Sequence, residues 1–403
     1  MKVLYISTVF PKNGTTSTIY TDLAEELVKN GHEVTVVAAE EKKKISKTVF
    51  NDERGCHVLR VKVGNMYDVG MIEKGISIVF LEKQLSRGIK RYLKDEEFDL
   101  ILFEAPPITL SGVVKKAKRM YNAPAFLMMK DIFPQNAVDI GIMKKGSIIW
   151  RFFRKKEKKL YEIADNIGCM SQGNIDYLIN NNDVSSEKLS IFENTKRIHD
   201  VPAKDLTIRD KYRVPSNKTV FVFGGNMGKP QGISFLMDCI EKCQNNKNAF
   251  FVLVGRGTEK QYILDRAKNM TNILVLDNLP REEYEKLINC CDVGIVSLDY
   301  RFTIPNYPSR ILSYMEYSMP VLATTDNNTD YKKLIENAKC GYWCPSNSIS
   351  EFCDIVNQMC DDQNLSLLGK NGRNYLEHNL DVKKSVTILE KYVNNVKILV
   401  END

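Results

Sequence analysis

Short runs of apolar residues alternate along the chain with longer segments in which the apolar positions recur every three or four residues. Residues 3–7 are mainly apolar and predict a buried strand. Ile19, Leu23 and Leu27 follow at helical spacing, and residues 34–39 then restart as a strand. A strand, a helix and a second strand in this order predict a parallel sheet that helices cover on both faces.

The alternation falls into two series, which predict two domains. Further strands of the first series lie at residues 100–103, 125–129, 166–169 and 189–192. After a polar stretch, the second series has strands at residues 219–223, 250–254, 272–276, 293–297 and 320–324. Because 403 residues exceed the usual size of one core, we predict Rossmann-like domains over residues 1–196 and 197–384. We expect a C-terminal helix at about 385–403 to pack back on the first domain.

Composition and charge fit this picture and exclude several classes of protein. The chain is 43% hydrophobic and 27% charged, as folded proteins are, and its net charge of +6 is too small to indicate nucleic-acid binding. No apolar stretch matches a signal peptide or a membrane span, so we expect a cytoplasmic protein whose ten cysteines stay reduced. The cysteine and histidine spacing predicts no metal site, and we expect no cofactor.

Glycine and polar residues directly follow two predicted strands of the second domain. They are Gly224, Gly225, Asn226, Lys229, Gly255 and Arg256. Backbone N–H groups and cationic side chains in such loops bind phosphate. A tight turn explains the glycines equally well, and a solvated surface charge explains the arginine.

A helix start in the second domain carries an unexpected cation. Pro308 and Ser309 predict the first residues of the helix, and Arg310 lies in its first turn. The free backbone N–H groups and the dipole of a helix start attract anions, so a diphosphate fits this end. An ordinary capped helix accounts for the proline and the serine, but not for an arginine at the positive end of the dipole.

In order along the chain, five segments resemble the GT-4 family of glycosyltransferases, in a branch typical of bacterial surface-polysaccharide assembly. They are residues 2–6 (KVLYI), 27–34 (LVKNGHEV), 225–232 (GNMGKPQG), 308–323 and 369–375 (GKNGRNY). The resemblance covers nearly the whole chain. It implies the GT-B architecture, in which two Rossmann-like doubly wound parallel-sheet domains face a central cleft.

The resemblance also implies a reaction and its substrates. The second domain would hold a nucleotide-diphosphate sugar, for which we expect a UDP-sugar, and the first would hold a saccharide acceptor, which we expect to be lipid-linked. Transfer would retain the anomeric configuration, need no metal, and serve capsule, O-antigen or exopolysaccharide synthesis.

The donor-binding residues that the resemblance predicts are Gly225, Asn226, Lys229, Arg256, Ser309 and Arg310. Many family members also have two glutamates eight positions apart, where this chain has Pro305 and Ser313. We predict that Glu316 compensates for them, with a surface glutamate as the alternative.

The first domain offers two candidate catalytic carboxylates. Lys130–Pro134 resemble the Asp-aromatic-Pro signature of the branch, so Asp131 is the leading candidate to orient or deprotonate the acceptor hydroxyl. Capping of the next helix is the alternative for this aspartate. Glu104, at another strand end, is the second candidate. By resemblance, Gly14 and Thr15 lie where acceptor and donor phosphate approach the backbone.

Basic segments of the first domain indicate a further partner. The segment 144–159 is basic and amphipathic. A second group of cations consists of Lys83, Arg87, Lys90, Arg91 and Lys94. We expect these segments to rest on anionic lipid at the inner face of the membrane, with a solvated helix face as the alternative.

Other functions remain compatible with part of the pattern. The missing glutamates allow a non-catalytic sugar-nucleotide-binding partner of another glycosyltransferase, and a GT-B sugar-nucleotide epimerase shares the architecture. A dinucleotide-dependent dehydrogenase is disfavoured, because neither domain shows the full Gly-x-Gly-x-x-Gly fingerprint with its downstream acid.

Overall fold

The computed structural model describes residues 1–66 and 69–401. It divides into two compact units. The first contains residues 1–138 and 143–197 and the chain from residue 381 onward, and the second contains residues 139–142 and 198–380. Residues 402 and 403 of the predicted C-terminal helix lie outside the described residues.

The first unit is built on one eight-stranded sheet. Its strands are β1 (Lys2–Ser7), β2 (Glu33–Glu41), β3 (Val49–Glu53), β4 (Cys56–Val63), β5 (Leu100–Ala105), β6 (Ala125–Met129), β7 (Asn166–Cys169) and β8 (Leu189–Ile191). They lie in the order β3-β4-β2-β1-β5-β6-β7-β8, and only β3 is antiparallel to its neighbour. The parallel sheet is therefore as predicted, whereas the hairpin of β3 and β4 is an addition.

Helices connect these strands. They are α1 (Ile19–Lys29), α2 (Met71–Tyr92), α3 (Ser111–Tyr121), α4 (Gln135–Asp139), α5 (Ile148–Ile163), α6 (Gln172–Asn182) and α15 (Val382–Glu401), the last from the chain end. Thr18 starts α1 with a capping box, in which it and Thr21 each bond the backbone N–H of the other. The apolar face of α15 enters the core of the first unit, where Val386 and Leu389 are buried with Leu27 of α1.

The second unit is built on a six-stranded parallel sheet. Its strands are β9 (Thr219–Asn226), β10 (Ala249–Arg256), β11 (Ile273–Leu276), β12 (Val293–Ser297), β13 (Val321–Thr325) and β14 (Gly341–Pro345). Their order is β11-β10-β9-β12-β13-β14. Two doubly wound parallel-sheet units confirm the predicted fold class.

The helices of the second unit are α7 (Thr207–Tyr212), α8 (Ile233–Lys242), α9 (Lys260–Ala267), α10 (Arg281–Asn289), α11 (Arg310–Glu316), α12 (Tyr331–Ala338), α13 (Ile349–Asp361) and α14 (Leu365–Asn379). The core lies between the sheet and these helices, where Phe221 and Phe251 stack with ring centroids 5.2 Å apart. Among the helices of residues 1–66 and 69–401, none combines the length and the apolar character that a bilayer span requires.

Candidate active site

Each sheet places its candidate residues in the loops that follow its strands. We call the loops after β1, β5 and β6 the first carboxyl edge, and the loops after β9, β10, β12 and β13 the second carboxyl edge. Open α/β sheets bind ligands at such edges, because their loops and helix starts expose unpaired backbone groups.

At the second carboxyl edge, two glycines let neighbouring turns come together. Gly225 at the end of β9 lies beside Gly255 at the end of β10, and Asn226 lies beside Arg256. A Cβ on Gly255 would be 1.9 Å from the carbonyl oxygen of Gly225, so a side chain there would force the turns apart. The side chains of Asn226 and Arg256 are exposed at this edge.

Arg310 lies against the same turn. The centre of its guanidinium is 4.0 Å from the ring centroid of Phe223, which favours a cation over the ring face. Its Nη2 is 3.2 Å from the position that a Cβ on Gly225 would take. Its Nη1 is buried, with no hydrogen-bond partner among the described residues. The guanidinium therefore keeps one N–H group unused within the described residues.

Two tyrosines that the sequence did not single out pack around the turn. The backbone N–H of Gly224 donates to the Tyr314 hydroxyl at 3.3 Å. A Cβ on Gly224 would be 1.9 Å from the Tyr284 hydroxyl oxygen, so only glycine leaves room for this ring. Burial raises the pKa of Tyr284 to about 12, although Arg310 acts in the opposite direction, so the hydroxyl stays protonated at neutral pH.

The other predicted donor residues are accessible. Lys229 is exposed in a short 3-10 turn over Lys229–Gln231, which leads into α8. Ser309 is exposed at the residue before α11, where its hydroxyl makes no capping bond within the described part of the chain. Both side chains are therefore available to a ligand.

At the first carboxyl edge, Glu104 is fully engaged. Its side chain is only 2% exposed. One carboxylate oxygen accepts from the Ser7 hydroxyl at 2.9 Å and from the Thr8 backbone N–H at 3.1 Å, and the other accepts from the Tyr5 hydroxyl at 3.0 Å. Burial raises the pKa of Glu104 to about 7. This carboxylate fixes the start of the loop after β1.

Asp131 follows β6 and is only half-buried. Its carboxylate accepts from the backbone N–H of Ile132 at 2.8 Å and from the side-chain amide of Asn136 at 2.5 Å. Neither bond comes from a backbone N–H of α4, so these contacts are not those of a helix cap. Burial raises the pKa of Asp131 to about 6, and burial lowers the pKa of the preceding Lys130 to about 7 against the effect of Glu104.

Gly14 and Thr15 lie in the exposed loop after β1. Gly14 has a φ of +74°, and a Cβ there would meet nothing within 4 Å. Thr15 donates from its hydroxyl to the Lys12 carbonyl at 2.6 Å. Arg54, which the sequence did not single out, holds this loop by donating to the backbone carbonyls of Pro11, Lys12 and Thr16.

Two family models match the chain, one over each unit. The family model for glycosyltransferase family 4 matches residues 16–195, and the model for group 1 glycosyl transferases matches residues 204–375. Together the two models cover most of the chain. It belongs to the GT-4 glycosyltransferases.

Individual relatives of this GT-4 glycosyltransferase agree with the family. A probable glycosyltransferase, WbjE of Pseudomonas aeruginosa, is 25% identical over 77% of both chains. HepE of Anabaena, solved in complex with UDP-glucose, has a TM-score of 0.71 at 15% identity and covers 98% of this chain and all of its own. WaaG, a glycosyltransferase involved in lipopolysaccharide biosynthesis, has a TM-score of 0.65 at 13% identity and covers 96% of this chain and 99% of its own. These neighbours show the GT-B fold.

In this GT-4 chain, the structure places Glu316 in a buried position on α11. Glu316 is the last residue of α11, whereas Arg310 is the first, so they lie at opposite ends of the helix. The Glu316 side chain is only 4% exposed and accepts from the backbone N–H of His199 at 3.1 Å. The low exposure of Glu316 contradicts the alternative of a surface glutamate.

Among residues 1–66 and 69–401, no group of three or more histidine, cysteine, aspartate or glutamate side chains has a geometry that could hold a metal ion. All ten cysteines are free thiols, and most are buried.

Proposed function

We propose that this GT-4 glycosyltransferase transfers a sugar from a UDP-sugar to a saccharide acceptor. The observation that carries the proposal is the Arg310 guanidinium, which lies on Phe223 against the Gly225 turn with one buried N–H group unused. A planar guanidinium suits two-pronged binding of phosphate oxygens. HepE, which shares the fold, was solved with UDP-glucose, and this supports a uridine nucleotide as the donor.

The charges at the second carboxyl edge suit a departing diphosphate. When the glycosidic bond to the nucleotide breaks, negative charge builds up on the phosphate oxygens. Arg310, Arg256 and Lys229 and the backbone N–H groups of the glycine turns offset this charge, and they offset it most where water is excluded. The reaction that we propose therefore needs no metal and no cofactor. From the family resemblance, we also propose that it retains the anomeric configuration.

We assign the acceptor side of the reaction to the first unit. Asp131 is half-buried and, with a pKa raised to about 6, is still mostly ionised at neutral pH, so it can orient or deprotonate an acceptor hydroxyl. Glu104 has both oxygens occupied and is 2% exposed, so we assign it a positioning role. WaaG acts in lipopolysaccharide biosynthesis, which supports a lipid-linked saccharide as acceptor in surface-polysaccharide synthesis.

The helices of the first unit support contact with an anionic membrane. Helix α5 presents exposed apolar and basic side chains together, namely Ile148, Ile149, Arg151, Phe152 and Lys155. Ile148 is 86% exposed. Helix α2 repeats the combination with Ile76, Val79, Phe80, Lys83 and Arg87. Apolar side chains flanked by cations insert between anionic headgroups, so the protein should sediment with phosphatidylglycerol vesicles and not with phosphatidylcholine vesicles.

A thermal-shift and product screen against UDP, GDP and their sugars tests the proposed donor. A ligand that binds only the native state raises the melting temperature, and slow release of UDP from a UDP-sugar would show turnover. Arg310→Ala should abolish the shift, whereas Arg266→Ala, which removes an ion-paired arginine on α9, should leave it in place. Absence of any shift in the wild type contradicts the proposal. A shift without turnover would instead support a non-catalytic partner subunit, which the loss of both family glutamates favours.

A further inference from the structure

The turn after β13 contains a buried carboxylate that is only half used. Asp326 is 2% exposed. Its Oδ1 accepts from the backbone N–H groups of Asn328 at 2.8 Å and Thr329 at 3.2 Å. Its Oδ2 is also buried, yet no residue in the described part of the chain bonds to it. Buried carboxylate oxygens without a partner are costly, and this one calls for an explanation.

The same turn supports the loop that leads to Arg310. Three side chains donate to backbone carbonyls of this loop: Asn328 to Phe302 at 2.6 Å, Thr329 to Asn306 at 2.5 Å, and Tyr331 to Pro308 at 2.9 Å. The supported loop contains Pro305, the position at which many family members have the first of their two glutamates. Loss of that glutamate leaves the loop without a carboxylate of its own at this position.

A second unused group lies in the supported loop. The side-chain nitrogen of Asn306 is buried and has no hydrogen-bond partner among residues 1–66 and 69–401. One acceptor, Asp326 Oδ2, and one donor, Asn306 Nδ2, are therefore unmatched in two segments that are bonded to each other. A hydroxyl group carries both a donor and an acceptor, so one such group matches the two unused atoms in kind.

We propose that Asp326 and Asn306 together bind one hydroxyl group of the donor sugar. The inference rests on the proposed function and extends it, because it assigns recognition of the sugar to a turn outside the two family glutamate positions. β13 is two strands from β9 in the sheet, which places this site about 10 Å along the edge from the Gly225 turn. The sugar of a nucleotide-diphosphate sugar follows its phosphates, so a site beside the diphosphate turn is where its hydroxyls are expected.

The charge state of Asp326 fits this role. Burial raises the pKa of its carboxyl to about 6, so above pH 7 the group is mostly ionised and acts as a strong acceptor. A hydroxyl that donates to a charged acceptor in a buried site contributes more than one that donates to a neutral group.

Asp326→Asn tests the proposal with little change of shape, because the amide oxygen can keep the bonds to Asn328 and Thr329. Binding of UDP, UDP-glucose, UDP-galactose and UDP-N-acetylglucosamine is measured by calorimetry at pH 7.5. We expect the affinity for the preferred UDP-sugar to fall about 10-fold or more, while the affinity for UDP stays unchanged. Asp361→Asn, at an exposed position at the end of α13, is the matched control and should change neither affinity.

Asn306→Ala and the double variant decide whether the two groups share one hydroxyl. If they do, the double variant loses no more affinity for the UDP-sugar than the single variant with the larger loss, because that substitution has already removed the shared contact. Unchanged discrimination between UDP and UDP-sugars in Asp326→Asn overturns the inference, as does full additivity in the double variant. A wild type that binds neither UDP nor any UDP-sugar contradicts the proposed function instead. Equal weakening of UDP and UDP-sugar binding shows a structural role for the turn and also overturns the inference.

Discussion

The two carboxyl edges have the same architecture and opposite chemistry. At the second edge, Arg310, Arg256 and Lys229 accompany the glycine turns at the ends of β9 and β10, so the local charge is positive. At the first edge, Glu104 and Asp131 are carboxylates whose pKa is raised by burial. The second edge suits a leaving group that departs with negative charge, and the first edge suits an acceptor hydroxyl that gives up a proton. The fold supplies the position, and a few side chains supply the chemistry.

The largest expected effect is that of replacing a glycine by alanine, because this change should be far more harmful at the second edge than at the first. Gly255→Ala should unfold the second carboxyl edge, because the new Cβ would lie 1.9 Å from the Gly225 carbonyl oxygen and the residue has a φ of +148°. We expect a loss of more than about 4 kcal/mol of stability and no UDP binding. Gly14→Ala is the control at the first edge: its Cβ meets nothing within 4 Å, so only the cost of a φ of +74°, about 1 kcal/mol, remains. Equal melting temperatures for the two variants would contradict the packing argument.

The next effect separates binding from chemistry. Asp131→Asn should lower kcat about 10³-fold, because the amide cannot take a proton from the acceptor hydroxyl, while the Kd for UDP stays unchanged. Steady-state kinetics with calorimetry on the same samples checks both numbers. Asn136→Ala keeps the carboxylate and removes its 2.5 Å partner, so it should cost far less. If the Kd for UDP changes together with kcat, Asp131 also supports donor binding. The assignment of donor binding to the second edge and of acceptor chemistry to the first would then be wrong.

Most strands and the doubly wound fold class followed from the periodicity of the sequence, but β14 and much of the site did not. The hairpin of β3 and β4 escaped prediction because β3 is short and largely exposed, so it lacks an apolar run. Tyr284 and Tyr314 meet Gly224 from far along the chain, and a tyrosine in a helix has no local mark of that contact. Asp326 could have been found, because it comes two residues after a predicted strand, where functional residues of such sheets lie.

Buried charge at the first edge predicts a pH dependence of stability. The pKa of Glu104 is raised from about 4.5 to about 7, so the native state binds its proton more tightly than the unfolded state does. This contribution is fully present below about pH 4.5 and is lost as the pH rises through about 7, an effect on the order of 3 kcal/mol. Glu104→Gln stays neutral, so its stability relative to the wild type should rise between pH 5 and 7.5 in urea titrations. Parallel curves for the two proteins would show that the carboxyl is not strained by burial.

The smallest effect concerns the hydroxyl of Tyr284 at the second edge. Tyr284→Phe keeps the ring that packs under Gly224 and removes only the hydroxyl, which stays protonated at neutral pH because burial raises its pKa to about 12. If this hydroxyl donates to the diphosphate, its loss should weaken UDP binding about 5-fold, the effect of one hydrogen bond of about 1 kcal/mol. Tyr314→Phe is the contrasting variant, since that hydroxyl bonds only backbone groups in this structure, namely the N–H of Gly224 and the carbonyls of Val222 and Ile295. It should lower the melting temperature and leave the Kd of the folded protein nearly unchanged. If Tyr314→Phe weakens UDP binding and Tyr284→Phe does not, the Tyr284 hydroxyl does not bind the diphosphate. UDP binding at the second edge would then depend on the glycine turns and the cationic side chains without this hydroxyl.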